Sequence, residues 1–309
     1  MSVVVPAFRA AGTLLACVAA LLEQDAEFAY EIIVVQSGDD DGDFVDLADD
    51  ERVRAIRQTP RLSSAAARNL GAARARGDAI AFTDADAIAD PTWLRTIARA
   101  AGDADVCVAG SVVNGTPQSA TGTAEYLVAF LDLHPARPVE GAWHGATCNL
   151  FVPLAVWHEY GPFAEDMLGG EDTLFTAALH EHGRFRFCPT ARVAHLNRTD
   201  PRAVVARQYT YGRWTARAAR RGPYHHGRLV RRPALAPVLG LGRLVWVYSR
   251  AWRRMRLAPW QLVRTVPVVS AALTAWVAGV AREGVRLDRQ HGRVARATAS
   301  DAARGPAGR

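Results

Sequence analysis

Lysine is absent, so all 37 basic residues are Arg. Together with the abundant Ala, this reflects genome composition more than mechanism. Cysteine is scarce: Cys17, Cys107, Cys148 and Cys188 form no C-x-x-C pair and sit on or near apolar stretches. They read as reduced, buried thiols, which excludes a disulfide framework and favours the cytoplasm. No charged leader or cleavage site precedes the first apolar strand, so no signal peptide is expected. The Gly-rich turn that cradles a phosphate in many nucleotide-binding folds is also missing, since Pro6 to Gly12 contains one Gly. Acidic residues disappear altogether between Asp200 and Glu283. From Met1 to Thr199 there are 15 Arg against 27 acidic residues, and from Asp200 onward 22 Arg against 4. A basic block segregated in this way implies an anionic partner, either a membrane surface or nucleic acid.

With 309 residues, half of them hydrophobic, the chain is long enough to bury a full core in one large or two modest domains. Its centre is Ala79 to Phe82 followed by Thr83-Asp84-Ala85-Asp86, an apolar run bounded by Gly77-Asp78 and Asp90-Pro91. Such a run predicts a short buried strand with two carboxylates at its carboxyl end. Ligands bind at that edge of an open α/β sheet, and two hard oxygen ligands there suit Mg2+ or Mn2+ carrying a diphosphate. A polar turn closing the strand is the plainer alternative.

The elements before it follow a βαβ pattern. Ser2 to Val5 is a strand, Thr13 to Gln24 an amphipathic helix, and Glu31 to Val35 a second strand ending in the acidic loop Asp39-Asp40-Asp41. That loop is either a solvated turn or a contact for a ribose, base or metal. A helix from Ser63 to Arg76 carries Arg68, which either lies on the surface or reaches a phosphate. Further helices and strands are expected at Thr92 to Ala101, Val106 to Val113, Asn149 to Val152 and Leu154 to Tyr160. Glu171 and Asp172 then open a helix from Thr173 to His182, as helix-capping carboxylates or as a general base beside a site. Two short strands, Phe185 to Cys188 and Ala191 to Leu196, close this part of the chain. His195 at its end is either a surface imidazole or a metal ligand.

Taken in this order, the residues resemble the family 2 glycosyltransferases of GT-A fold over about residues 1 to 200. The likeness is carried by Val3-Val4-Val5-Pro6-Ala7-Phe8, Ala67-Arg68-Asn69-Leu70-Gly71, Phe82-Thr83-Asp84-Ala85-Asp86 with Pro91-Thr92-Trp93-Leu94, Gly169-Gly170-Glu171-Asp172-Thr173, and Phe187-Cys188-Pro189-Thr190-Ala191 leading to His195. The resemblance implies an α/β fold with a mostly parallel mixed sheet flanked by helices. It also implies transfer of a sugar from a nucleotide-diphosphate donor to an acceptor hydroxyl, usually with inversion. By the same likeness Asp84 contacts the donor ribose or the metal, Asp86 ligates Mn2+ or Mg2+, and His195 completes the metal shell. Arg68 supports the nucleotide, and Pro6, Ala7 and Phe8 shape its pocket. Asp172 is the base, with Glu171 beside it. One departure stands out: the family commonly has Asp directly after its second strand, whereas this chain has Gln36-Ser37, with Asp39 the nearest displaced carboxylate.

The expected organisation is a nucleotide-sugar-binding domain over 1–199, a basic helical region over 200–289 and a disordered tail over 290–309. In the basic region, Arg243 to Leu257 reads as an amphipathic helix with Trp246 and Trp252, and Val266 to Ala281 as an apolar helix that reaches the length of a span only when extended back to Leu262, with Arg264 and Pro267 inside it. These suit a cytoplasmic membrane face as interfacial segments, with a single span or a hairpin packed on the catalytic domain as alternatives. The expected partners are the sugar donor, a glycan or lipid-linked acceptor and anionic lipid. Nucleic acid is not expected, because Trp and Leu suit lipid better. A nucleotidyltransferase of similar architecture and a non-catalytic scaffold are the competing readings.

Overall fold

The computed structural model describes residues 1–303 apart from 48, 103, 168, 223, 225, 226 and 256, and the side chains of residues 291–303. In chain order the strands are β1 (Ser2–Ala7), β2 (Glu31–Ser37), β3 (Val53–Gln58), β4 (Ala79–Thr83), β5 (Ala87–Ala89), β6 (Cys107–Asn114), β7 (Asn149–Pro153) and β8 (Phe185–His195). The helices are α1 (Leu14–Leu22), α2 (Ser64–Ala72), α3 (Trp93–Ala101), α4 (Ala120–Ala129), α5 (Leu154–Tyr160), α6 (Glu171–Glu181), α7 (Pro201–Arg221), α8 (Gly227–Val230), α9 (Ala236–Met255) and α10 (Pro259–Ala303).

All eight strands form one sheet in the order β3-β2-β1-β4-β7-β6-β8-β5. β3, β2, β1 and β4 are parallel, as the βαβ pattern predicts, while β7 runs antiparallel between β4 and β6. The apolar runs of β1, β2 and β4 are buried on both faces, which is why they are continuous rather than alternating. Ile33 and Val35 pack with Ala67 of α2, while Ile32 and Val34 join the main core with Leu14, Val18 and Leu21 of α1. Gly71 lets α2 lie close on β1, since a Cβ there would overlap the Val4 side chain. The buried Asn149 accepts from the Trp93 indole at 2.8 Å and donates to the Ser111 and Ala191 carbonyls at 2.8 and 2.9 Å. A saturated amide of this kind pins β7 against β6 and β8 at one register.

The closing strands differ from expectation. Instead of two short strands, β8 runs unbroken along β6 with a register shift between Gly110 and Ser111. β3, too polar and alternating to stand out, and the three-residue β5 are additional.

Beyond residue 200 the chain is helical. Asp200 caps α7 by accepting from the Arg202 amide at 3.0 Å, with Pro201 in the first turn. α10 crosses α7 at Gly212 and Gly279, where added methyl groups would overlap the Trp276 and Tyr209 carbonyls. The inward face of α10 (Thr265, Val269, Ala272, Trp276, Val280, Glu283) is buried, and Val269 and Leu273 join the main core with Val247 and Ala251 of α9. Pro259–Gln290 has the length and composition of a membrane span, yet 39% of its apolar window is buried inside the protein. α10 stays helical to Ala303, past Gln290, where the sequence suggests a disordered tail; residues 304–309 lie outside the described residues.

Candidate active site

At the carboxyl edge of β4 a tight turn, closed by the Ala87 amide on the Asp84 carbonyl at 3.0 Å, presents Asp84 and Asp86 together. β5 then pairs antiparallel with β8, with Ala87 opposite His195, and the Leu196 amide bonds the Asp86 carbonyl at 2.7 Å. This pairing brings His195 to the carboxylates. One ligand atom from each of Asp84, Asp86 and His195 lies within 4.8 Å of the others. The His195 Nε2 is 3.3 Å from an Asp86 oxygen. Contrary to a surface imidazole, His195 is buried, its ring stacked on Phe130 at 4.4 Å and its Nδ1 without a hydrogen-bond partner. Two carboxylates and an imidazole form a donor set that suits Mn2+ or Mg2+ better than a soft metal.

Arg68 is not on the surface either. It projects from α2 into the protein and is 5% exposed, donating to Asp84 at 2.6 Å and to Glu171 at 3.0 Å. Both ends of the guanidinium are thus taken up by carboxylates, so Arg68 holds the acidic groups rather than extending towards a phosphate. Burial pushes the Asp84 carboxyl up, but the charges of Arg68 and His195 outweigh it and hold Asp84 below the ordinary carboxylate range. Glu171 goes the other way: burial and the neighbouring Asp172 charge push it up to about 7 despite Arg68.

Glu171 and Asp172 occupy the first turn of α6, entered through Gly170 at φ 84°, a left-handed conformation that Gly adopts without strain. The two side chains diverge. Glu171 turns inward to Arg68, while Asp172 is half-buried and lines the cavity, accepting from the Thr173 amide at 2.7 Å and the Thr147 amide at 3.3 Å. Thr176 secures the same loop, with its hydroxyl donating to the Asp172 carbonyl at 2.7 Å and accepting from the Gly145 amide at 3.1 Å.

These groups line one open cavity of about 1440 Å³. One arm is walled by Pro6, Ala7 and Phe8 at the end of β1, by Ser37 at the end of β2 and by Arg61 to Ser64 at the start of α2. The Arg61 guanidinium stacks 3.7 Å from the Phe8 ring. Gln36 turns away from this arm, bonding the Val45 backbone in both directions at 2.8 and 2.7 Å. Asp39 is exposed and outside the cavity lining; its carboxylate accepts from the Arg61 amide at 3.2 Å and so supports the rim. The other arm runs between Trp143-His144, α7 and α9.

Sequence reasoning missed the contribution of α7. Arg207 lines the cavity, stacks on Tyr211 at 4.8 Å and leaves its Nε buried without a hydrogen bond, within the field of Asp84 and Asp86. The Asp200-Pro201 start and the spacing of Val204, Gln208, Tyr211, Trp214 and Ala218 were available as signals.

A parallel half-sheet carrying a carboxylate pair at the end of its fourth strand, followed by an antiparallel crossing strand, defines the GT-A class of α/β fold. Over 91% of the chain the structure resembles the mannosyltransferase PcManGT of Pyrobaculum calidifontis, solved with GDP-Man and Mn2+, at a TM-score of 0.58, 17% identity and 86% coverage of that protein. Residues 2–137 match the sequence pattern of glycosyl transferase family 2, which supports a family 2 glycosyltransferase domain in this part of the chain. Glycosyltransferase AglE of Haloferax volcanii is 27% identical over 191 residues, 59% of this chain and 62% of that protein. The pre-mycofactocin glycosyltransferase of Mycobacterium tuberculosis is 28% identical over 268 residues, 79% of this chain and 57% of that protein. The chain thus spans about three fifths of the length of these two relatives.

Proposed function

We propose that the protein is a metal-dependent inverting glycosyltransferase that moves a sugar from a nucleotide-diphosphate donor to an acceptor hydroxyl. The observation that carries this reading is the meeting of Asp84, Asp86 and His195 in the same cavity as Asp172. Asp84, Asp86 and His195 would hold Mn2+ or Mg2+, which when bound supplies a Lewis acid for the departing diphosphate. The arm formed by Pro6, Ala7, Phe8 and Ser37 takes the nucleotide. Arg68 keeps Asp84 ionised and oriented, and Arg207, whose Nε has no hydrogen bond and meets Glu125 only at 3.7 Å, attracts the diphosphate. Asp172 takes the acceptor hydroxyl proton as the acceptor oxygen bonds to the sugar carbon, and the bond to the diphosphate breaks with its electron pair leaving on the diphosphate. Glu171, closed onto Arg68, orients the cluster and does not act as the base.

The site would work at the cytoplasmic face of a membrane, in the synthesis of an envelope glycan, polysaccharide or glycolipid. Supporting this, Val238, Leu241, Val245 and Trp252 of α9 and Trp260, Val263 and Val266 of α10 expose an apolar strip beside Arg253 and Arg264. Apolar area flanked by guanidinium groups suits peripheral binding to anionic lipid. The deciding experiment is calorimetry with UDP, GDP and TDP, with and without Mn2+, on wild type and Asp86→Ala. Metal-dependent binding of one nucleotide, lost in the variant, is expected; no binding of any nucleotide to folded wild type refutes the reading.

A further inference from the structure

The second arm of the cavity carries more positive charge than the protein neutralises. Asp132, in the single helical turn Leu131–Leu133, is the carboxylate around which three guanidinium groups gather. Arg137 approaches one of its oxygens at 3.7 Å and Arg250 the other at 3.6 Å, both beyond hydrogen-bonding range. The closest partner of Asp132 is instead His144 Nε2 at 3.1 Å. Arg254 lies one helical turn beyond Arg250 on α9. It has no ion pair within 4.0 Å among the described residues, and its Nη1 is buried without a hydrogen bond. All of these residues line the cavity. Burial, joined by the charge of Arg250, holds the Arg254 guanidinium below its ordinary value, and burial with Arg254 and Arg250 does the same to Arg137 against the pull of Asp132. Buried or partly buried cations held short of acceptors and countercharge are costly unless a ligand supplies both.

We infer that Arg137, Arg250 and Arg254 form a phosphate-binding subsite in the acceptor arm of the cavity, so that the acceptor carries a phosphate monoester. Three guanidinium groups against one carboxylate leave a surplus of two positive charges, which matches a phosphate monoester better than a single carboxylate. The subsite is joined to the catalytic residues through shared walls. Phe130, two residues before Asp132, stacks on His195, and the loop carrying His144 continues to the Thr147 amide that holds Asp172. Trp246, on which Arg250 stacks at 4.3 Å, and Val238 lead from the subsite along α9 towards the exposed apolar strip.

The assignment to an acceptor rests on the transferase reading; the binding of phosphate does not. Calorimetry with inorganic phosphate, in a phosphate-free buffer on the full chain, tests it with wild type, Asp86→Ala, Arg254→Gln and Arg254→Lys, each checked for folding by its thermal melt. Arg250→Gln serves if Arg254→Gln does not fold. Phosphate should bind wild type and Asp86→Ala alike. It should weaken roughly tenfold or more in Arg254→Gln, the worth of one charge-assisted hydrogen bond, and recover in part in Arg254→Lys. Hexyl phosphate binding more tightly than inorganic phosphate assigns the group to an amphiphilic acceptor, and equal affinity assigns it to a soluble one; both support the subsite. No phosphate binding by wild type overturns it, as does binding kept in Arg254→Gln and lost in Asp86→Ala, which would put the phosphate at the nucleotide site. Phosphate binding through Arg254 in a chain that binds no nucleotide sinks the transferase reading and leaves the subsite standing.

Discussion

Replacing Arg68 by Met tests the electrostatic frame of the site. The guanidinium is buried and bonded at 2.6 Å to Asp84 and 3.0 Å to Glu171, so a chain of similar length without charge leaves the buried Glu171 and the partly buried Asp84 uncompensated. Breaking a buried ion pair from one side costs about 3–5 kcal/mol. Glu171, already pushed up to about 7, escapes part of this by taking a proton, which places the cost near the lower end, about 3 kcal/mol at pH 7. At about 2–4 °C per kcal/mol for large domains, the melting temperature should fall by roughly 6–12 °C. The pH dependence has a definite sign. The folded Asp84 is held below its ordinary value, so its contribution is present above the unfolded carboxyl pKa and is lost as the pH falls through the folded one. The Glu171 part of the gap between wild type and Arg68→Met should therefore shrink as the pH falls through about 7, while the Asp84 part persists to about pH 5 and narrows below about pH 4, where free Asp protonates. Melts followed by circular dichroism in EDTA, across that range, measure both. A variant melting within about 1 °C of wild type at pH 7 would refute the argument, since it would leave no room for a buried countercharge. Arg68→Lys should recover only part of the loss, because a single ammonium cannot bridge two carboxylates as the guanidinium fork does.

Two other substitutions probe separate parts of the molecule. Asp172→Asn should leave Mn2+-dependent nucleotide binding in place while lowering kcat by about 10²–10⁴-fold, the usual worth of a general base; an unchanged kcat in a transfer assay removes Asp172 from that role. Glu283 of α10 is buried and meets Arg217 at 2.6 Å, Arg286 at 2.6 Å and Arg213 at 3.3 Å. Burial pushes its carboxyl up, but those guanidinium groups hold it down at about 2. Its stabilisation should be complete above about pH 4.5 and decline as the pH falls towards 2, and urea titrations of Glu283→Gln should show a loss of about 3 kcal/mol at pH 7 that vanishes over that interval.

The sequence alone determined most of the half of the fold that carries the candidate site. Strands buried on both faces must be continuous apolar runs, and β1, β2 and β4 each end in a polar turn, so the position of Asp84 and Asp86 at a carboxyl edge was legible. So was the helix opened by Glu171 and Asp172, because a Gly pair before two carboxylates is a local signal. The resemblance to family 2 glycosyltransferases rested on these local patterns in a fixed order. Which carboxylate does what was not legible: Glu171 and Asp172 are adjacent in sequence, and only the tertiary approach of Arg68 on α2 pairs one with a guanidinium and leaves the other lining the cavity. From the residues alone His195 was a surface imidazole or a metal ligand and Arg68 a surface residue or a phosphate contact; the pairing of β5 with β8 and the close approach of α2 to β1 at Gly71 bury both. In the helical region the apolar residues were visible, but one-dimensional periodicity cannot say whether such a face meets lipid or protein. The Gly212–Gly279 crossing and the buried Glu283 answer that for the inner face of α10, while the outer faces of α9 and α10 stay apolar and exposed. Local chemistry determines elements and their ends; long-range packing decides which side chains share a site, because burial and charge depend on neighbours far away in the chain.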